Sequence, residues 1–214
     1  MYFVIPDLIM IIDLTHTLTD RLQVYPGDVS PSLVKHKDFH KNGYSDYMLT
    51  TGMHTGTHID GPMHLTPDTG FISSLPADSF IGKGCVLNIE GKKIIKWKDS
   101  YTDIIMGKDI ILINTGHGKY FGTERYLGNN PVLDMSFAKE LVGRKIKMLG
   151  IDLMSPDKHP FIFHKLLLAN NILIAENLAN LDLLKDFGSF EVIALPLKIK
   201  ADSSPARIIA REIS

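Results

Sequence analysis

Cysteine is almost missing from this chain: Cys85 is the only one in 214 residues. A single thiol cannot close an intramolecular disulfide, so the fold requires no oxidising compartment. Its setting, after Gly84 and ahead of the strand-like "VLNIE", reads as buried filler rather than a nucleophile. An excess of charge of either sign is missing too. Lys and Arg number 23 against 24 Asp and Glu, a formal net charge of −1, and their scatter excludes the basic stripe of a nucleic-acid binder. The one Lys-rich stretch, "GKKIIKWK", alternates with apolar residues like the wet face of an edge strand. It holds the only tryptophan, Trp97, so no aromatic platform is evident near a candidate site. No window reaches the ~20 uncharged apolar residues of a membrane helix. The apolar "MYFVIPDLIMIIDL" lacks a basic start and a small-residue cleavage site, and Pro6 and Asp7 interrupt it, so no signal peptide is expected. A cytoplasmic protein without membrane partners is the expectation.

What is present suits one domain over residues 1–214, with 44% hydrophobic residues to fill its core. Residues 86–90, 109–116, 147–153, 171–177, 190–199 and 206–212 are rich in Ile, Leu and Val and several close on Gly, Asp or Asn, as strands do. Helical spacing predicts a helix over 135–144, with Asp134 as N-cap and Gly143 near the stop. Two more are expected over 159–171, where Pro160 suits the first turn, and over 177–188, which ends in Gly. No fixed-period repeat breaks this order. Many strands with a few separate helices predict an α+β fold. Residues 15–80 are instead punctuated by Gly, Pro, Ser and Thr, and irregular chain of that length usually carries binding or catalytic groups.

In the middle of that stretch, residues 54–64 read "HTGTHIDGPMH" and hold three of the nine histidines. His54 and His58 have helical spacing, but Gly56, Gly61 and Pro62 make a helix improbable. In an extended strand His54, His58 and Asp60 share a face, yet four residues span ~13 Å, too far for two ligands at ~2.1 Å from one ion. A metal site here therefore needs a curl, for which Gly56 is suited, and a turn at "GP" before His64. Two imidazoles and a carboxylate suit zinc or manganese with a position left open for water. His64 remains over, a group able to move protons near neutral pH. The competing reading is a polar loop whose histidines cap turns. His164 and Glu176, twelve residues apart, could complete the site. A carboxylate closing an apolar strand is costly unless paired or coordinated, although a salt bridge or cap would serve for Glu176 and a core position for His164.

The motif resembles H-x-G-T-H-x-D-x-P-x-H, the signature of the metal-dependent cyclase family of hydrolases, which includes kynurenine formamidases and isatin hydrolases. "DLTHTLTDRLQVYPGD", "ILINTGHGKYF", "LGIDLMSPD", "LLLANNILIAENLANL" and "LPLKIKADSSPARIIA" extend the resemblance over nearly the whole chain. The resemblance implies a compact domain of swivelling β/β/α type, assembled into a homodimer or homotetramer, with active sites to which a neighbouring subunit contributes. It implies His54, His58 and Asp60 as ligands of a first ion, Asp60 bridging to a second held by His164 and Glu176, and His64 as catalytic acid/base. Zinc, as one ion or two, is the expected cofactor, with manganese as the alternative. The expected reaction is hydrolysis of a non-peptide C–N bond in a small linear or cyclic amide, arylformamidase-like, by attack of metal-bound hydroxide. The alternatives are a different small lactam or ester, and a catalytically silent metal-containing binding protein. A structural zinc is disfavoured, since it would be closed by four ligands and often by cysteines.

Tyr25 in "VYPGD" is a candidate for the substrate pocket, with Tyr44 and Tyr47 as weaker ones. His117 sits in a loop at a strand end, where sites often lie, but reads rather as a surface turn residue, and His16, His36, His40 and His159 read as solvated or structural. Arg207 could hold a substrate carboxylate or anchor the last strand by an ion pair. The segment "MYFVIPDLIMII" is a candidate intersubunit strand.

Overall fold

The computed structural model describes residues 9–128 and 130–213. Among the described residues twelve strands run in chain order: β1 (Ile11–Asp13), β2 (Ser32–Lys37), β3 (Asp46–Thr50), β4 (His58–Asp60), β5 (Ile81–Asn88), β6 (Ile94–Ile95), β7 (Ile110–Asn114), β8 (Val132–Leu133), β9 (Met148–Ile151), β10 (Leu173–Glu176), β11 (Phe190–Pro196) and β12 (Ser203–Glu212). Seven of them close a barrel in the order β12-β11-β5-β7-β9-β10-β4, because β4 pairs with both β10 and β12. The run β5-β7-β9-β10 is parallel and the other pairings are antiparallel. β12 can serve two neighbours on one edge because it is long. Its first three residues pair with β4, and Ile209–Arg211 pair with β1.

Strand alternation divides the core in two. Ile110 and Leu112 of β7 join Met148, Ala175, Val192, Ala194 and Ile208 on the enclosed face. Ile111 and Ile113 point the other way, onto a layer containing Phe137 and Leu141 of the Met135–Arg144 helix and Phe163 and Leu167 of the Ile162–Leu168 helix. Barrel plus one helical layer is the α+β arrangement expected. Cys85 is buried in the helical layer's core, and burial pushes its thiol up to about 12.

The Met135–Arg144 helix has the expected bounds, and Asp134 caps it by accepting from the Ser136 amide. The helix expected over 177–188 does not form. Asn177 and Asn180 both adopt left-handed backbone, and only a 3₁₀ segment, Leu181–Asp186, follows. The apolar pattern there is real, but Leu181 and Leu184 fill the enclosed core from a tighter turn. The region 15–80 is less irregular than expected, since β2 and β3 form a hairpin and β4 joins the barrel. That hairpin carries Tyr44, Tyr47, Met48 and Leu49 exposed. The "GKKIIKWK" stretch contains β6, paired with β8 outside the barrel, with Ile94 exposed and Ile95 buried. Of the candidate intersubunit strand, residues 1–8 lie outside the described residues, and Ile11–Asp13 are β1 on the barrel edge. No helix among the described residues is long and apolar enough to cross a membrane.

Candidate metal centre

The segment 54–64 curls where the chain needs it to. Gly56 has φ +62°, a conformation that L side chains rarely adopt, and the turn it makes brings His54 back beside β4. His58 and Asp60 then leave β4 on one face while Ile59 enters the enclosed core. A Gly56→Ala variant is therefore expected to lose about 1–3 kcal/mol, because its Cβ would also meet the Leu22 side chain at 3.1 Å. Urea unfolding of the metal-free protein measures this. Gly61 is required for a different reason. A Cβ there would lie 2.6 Å from the carbonyl oxygen of Asp202, the same oxygen that accepts the Gly61 amide at 3.0 Å. This contact pins the start of β12 onto the motif, and Pro62–His64 follow as one 3₁₀ turn.

Pairing supplies the second half. Glu176 lies opposite His58 in the β4–β10 ladder, and the Ile162–Leu168 helix lays His164 over both. Asp60 stands between two sets of groups. Its Oδ1 is 2.8 Å from His54 Nδ1 and 3.4 Å from His58 Nε2, and its Oδ2 is 3.9 Å from His164 Nε2. Glu176 reaches His164 Nε2 at 3.1 Å with Oε1 and His58 Nε2 at 3.5 Å with Oε2. His58, Asp60, His164 and Glu176 are all buried. Within this ring His58 Nε2 and Asp60 Oδ1 are buried without a hydrogen-bond partner. The atoms turned into the ring have little but one another as partners, and a cation among them would satisfy both. The residues present thus fit one divalent ion at His54, His58 and Asp60, and a second at Asp60, His164 and Glu176.

Each imidazole is oriented from behind, as metal-binding histidines usually are. His58 Nδ1–H donates to the Gly56 carbonyl at 2.8 Å, directing Nε2 into the ring. His164 Nδ1–H donates to Asp157 at 2.5 Å, and Asp157 also accepts the Phe163 amide. His54 Nε2–H donates to Asp202 at 2.9 Å. Asn177 braces the curl, donating to the Gly56 carbonyl while its own carbonyl accepts Thr57 Oγ1. Tyr126 donates its hydroxyl to the Asn177 side chain. Asp157→Asn is expected to weaken binding of the second ion about 10–100-fold while leaving the first intact, which chelator competition on the variant measures.

Charge in the metal-free site follows from burial and pairing. Burial alone would depress His54, but the Asp202 and Asp60 carboxylates outweigh it and raise His54 to about 10. Burial is likewise outweighed at His164, where Asp157 and Glu176 raise it to about 10. Asp60 would be pushed up by burial, yet His58 and His54 hold it well below the usual carboxylate range. Glu176 goes the other way, raised by burial and by the Asp60 charge.

The ring opens on a cavity of about 210 Å³. His64 lines it, as does Tyr25, whose ring meets Phe161 edge-on. Val24, Leu65 and Met154 add apolar wall, and no Lys or Arg among the described residues lines it. Tyr44 and Tyr47 are not at this cavity but on the β2–β3 hairpin. His117 is a correction: it is buried, not a surface residue, stacked on Tyr126 and donating to the Tyr126 carbonyl. His16 stacks on Phe121, a structural role. Arg207 makes a two-pronged ion pair with Asp13 across β12 and β1 and lies outside the cavity.

Residues 12–158 match the family model described as "Putative cyclase". The chain is 36% identical over 204 residues to "Uncharacterized protein MJ0783" of Methanocaldococcus jannaschii, covering 94% of this chain and 98% of that one. It is 30% identical over 208 residues to a kynurenine formamidase of Bacillus cereus, covering 94% and 97%. The fold is similar to that of isatin hydrolase A from Labrenzia aggregata, with a TM-score of 0.82, 23% identity and coverage of 96% and 94%. On the family match and on these relatives, this chain belongs to the cyclase family.

Proposed function

We propose that this protein is a cytoplasmic metal-dependent hydrolase of a non-peptide C–N bond in a small linear or cyclic amide, with arylformamidase-like activity. One observation carries the reading: the inward-turned imidazoles and carboxylates of His54, His58, Asp60, His164 and Glu176 line the same cavity as a further histidine, His64. The kynurenine formamidases among its relatives support the amide. The cavity is smaller than the ~300–1,000 Å³ of drug-sized ligand sites, and its apolar wall suits a single aromatic ring.

His54, His58 and Asp60 would hold one ion, and Asp60, His164 and Glu176 would hold a second, zinc being the best match to three imidazoles and two carboxylates. When bound, such ions supply Lewis acidity and lower the pKa of coordinated water toward ~7. The wall formed by Tyr25, Phe161 and Met154 orients the substrate and excludes bulk water. A water oxygen adds to the amide carbonyl carbon, and His64 takes the proton it loses. As the C–N bond breaks, His64 returns that proton to the departing nitrogen, which could not leave as a free amide anion. The same reading includes a homodimer or homotetramer, with the open face of the β2–β3 hairpin against a second copy; light scattering on the purified chain gives the subunit number.

The test is turnover by the zinc-loaded protein of N-formylkynurenine, formanilide, isatin and a matched ester, with and without a chelator. Chelator-sensitive cleavage of an amide supports the reading. Stoichiometric metal with no turnover of any of the four would replace it with a silent binding protein.

A further inference from the structure

Asp202, which begins the approach to β12, has no place among the ligands just described, yet one of its oxygens does two jobs. Oδ2 accepts from His54 Nε2 at 2.9 Å and from His64 Nδ1 at 3.2 Å. The two rings lie 4.1 Å apart, tilted by 39°. Asp202 is itself fixed by its carbonyl bond to the Gly61 amide and by the adjoining Ser203–Asp60 register of β12 on β4. We propose that Asp202 is a positioning residue for proton transfer: by accepting Nδ1–H of His64 it fixes that ring's tautomer and presents Nε2 to the cavity. This rests on His64 being the acid/base of the proposed reaction.

The chemistry follows from the donor inventory of imidazole. A neutral ring that donates through Nδ1 carries its lone pair on Nε2 and can take a proton there. Once it has done so, the carboxylate faces a full positive charge and stabilises it, the arrangement by which a third group orients a catalytic base. A carboxamide at position 202 can present its own NH₂ instead, favouring the opposite tautomer, with the proton on Nε2 and no lone pair toward the substrate. The sharing with His54 adds a constraint on place. The acid/base is held against a ligand of the first ion and cannot swing away from where water and leaving nitrogen must sit.

Two measurements on the zinc-loaded full chain decide this. Long-range ¹H–¹⁵N correlation of the imidazoles reads the His64 tautomer directly and needs no substrate; Nδ1–H is expected in the parent. In formanilide hydrolysis, Asp202→Asn should lower kcat about 10²–10³-fold with KM within a few-fold. With zinc kept saturating so that the bond to His54 does not limit loading, the same substitution in a His64→Ala background should then change kcat less than about threefold, since its effect on the chemical step is routed through His64. If Asp202 acted only by holding His54, the loss would be the same in both backgrounds and zinc stoichiometry would fall, which overturns the proposal. An Nε2–H tautomer of His64 in the parent overturns it as well. Failure of the broader hydrolase reading is separate: no substrate would turn over, while the tautomer would still report on Asp202.

Discussion

Replacing His64 with alanine is expected to leave metal content unchanged and to lower kcat for formanilide by about 10²–10⁴-fold, the usual span for a lost general acid/base. The prediction has two halves because His64 could stand in two roles. It is near enough to His54 and Asp202 for the three to hold an ion, in which case alanine would cost metal. The hydrogen bonds point elsewhere: both His64 Nδ1 and His54 Nε2 are engaged by Asp202, which leaves His54 Nδ1 turned toward Asp60. The leaving group gives a sharper reading than the rate alone. An anilide must be protonated at nitrogen to depart, whereas a nitrophenolate departs unaided. The deficit of the alanine variant should therefore shrink severalfold or more on a p-nitrophenyl ester of the same acyl group. An equal deficit on both substrates, or a lost ion equivalent, removes His64 from proton transfer.

The part of this site that could be read from sequence is the part that is contiguous. His54, His58, Asp60 and His64 lie within eleven residues, and Gly56 and Pro62 announce the curl and the turn that gather them. His164 and Glu176 needed the family resemblance, since a lone histidine on an apolar helix and a carboxylate at a strand end each have an ordinary structural explanation. Asp157, Asn177 and Asp202 were missed. Asp202 reaches across the fold to the ring nitrogens of His54 and His64, Asn177 reaches the Gly56 carbonyl, and Asp157 turns onto the Phe163 amide and His164 Nδ1 just downstream; sequence spacing says nothing of such contacts. The only local signals were weak ones: Asp157 in "SPD" seven residues before His164, and Asn177 directly after Glu176. The fold shows the same division. Strands dense in Ile and Leu were legible because both their faces are buried, as at β7, where all five residues are enclosed. Barrel closure through β4 was not, for it depends on the ten-residue β12 lending three residues to a short polar strand. The β2–β3 hairpin escaped because it buries neither face, so no alternation marks it.

Asp60→Asn should empty the site: bound zinc falls to near zero and hydrolysis drops by at least ~10³-fold, since both the Lewis acid and the activated water depend on it. His54→Ala, by contrast, should lose the first ion and keep much of the second. The difference arises because the two Asp60 oxygens face different partners, Oδ1 toward His54 and His58 and Oδ2 toward His164. Asparagine preserves the shape and offers one neutral oxygen in place of two anionic ones. The parent carries a pH signature of the same arrangement. His54 and His164 are raised to about 10 in the metal-free protein, so the stability they contribute is complete below the unfolded value of ~6.5 and is lost as pH rises through 10. Asp60 is depressed, so its contribution is present above ~3.9 and is lost only as pH falls toward its folded value. Zinc demands the opposite state of the histidines, for it binds them neutral, and loading must release their protons. Between pH 6 and 9 the metal-free protein should therefore lose Tm while zinc affinity rises, and the gap between zinc-loaded and chelated Tm should widen steadily. In Asp60→Asn that gap should be close to zero at every pH. A parent gap that narrows as pH rises would mean that these imidazoles are not the ligands.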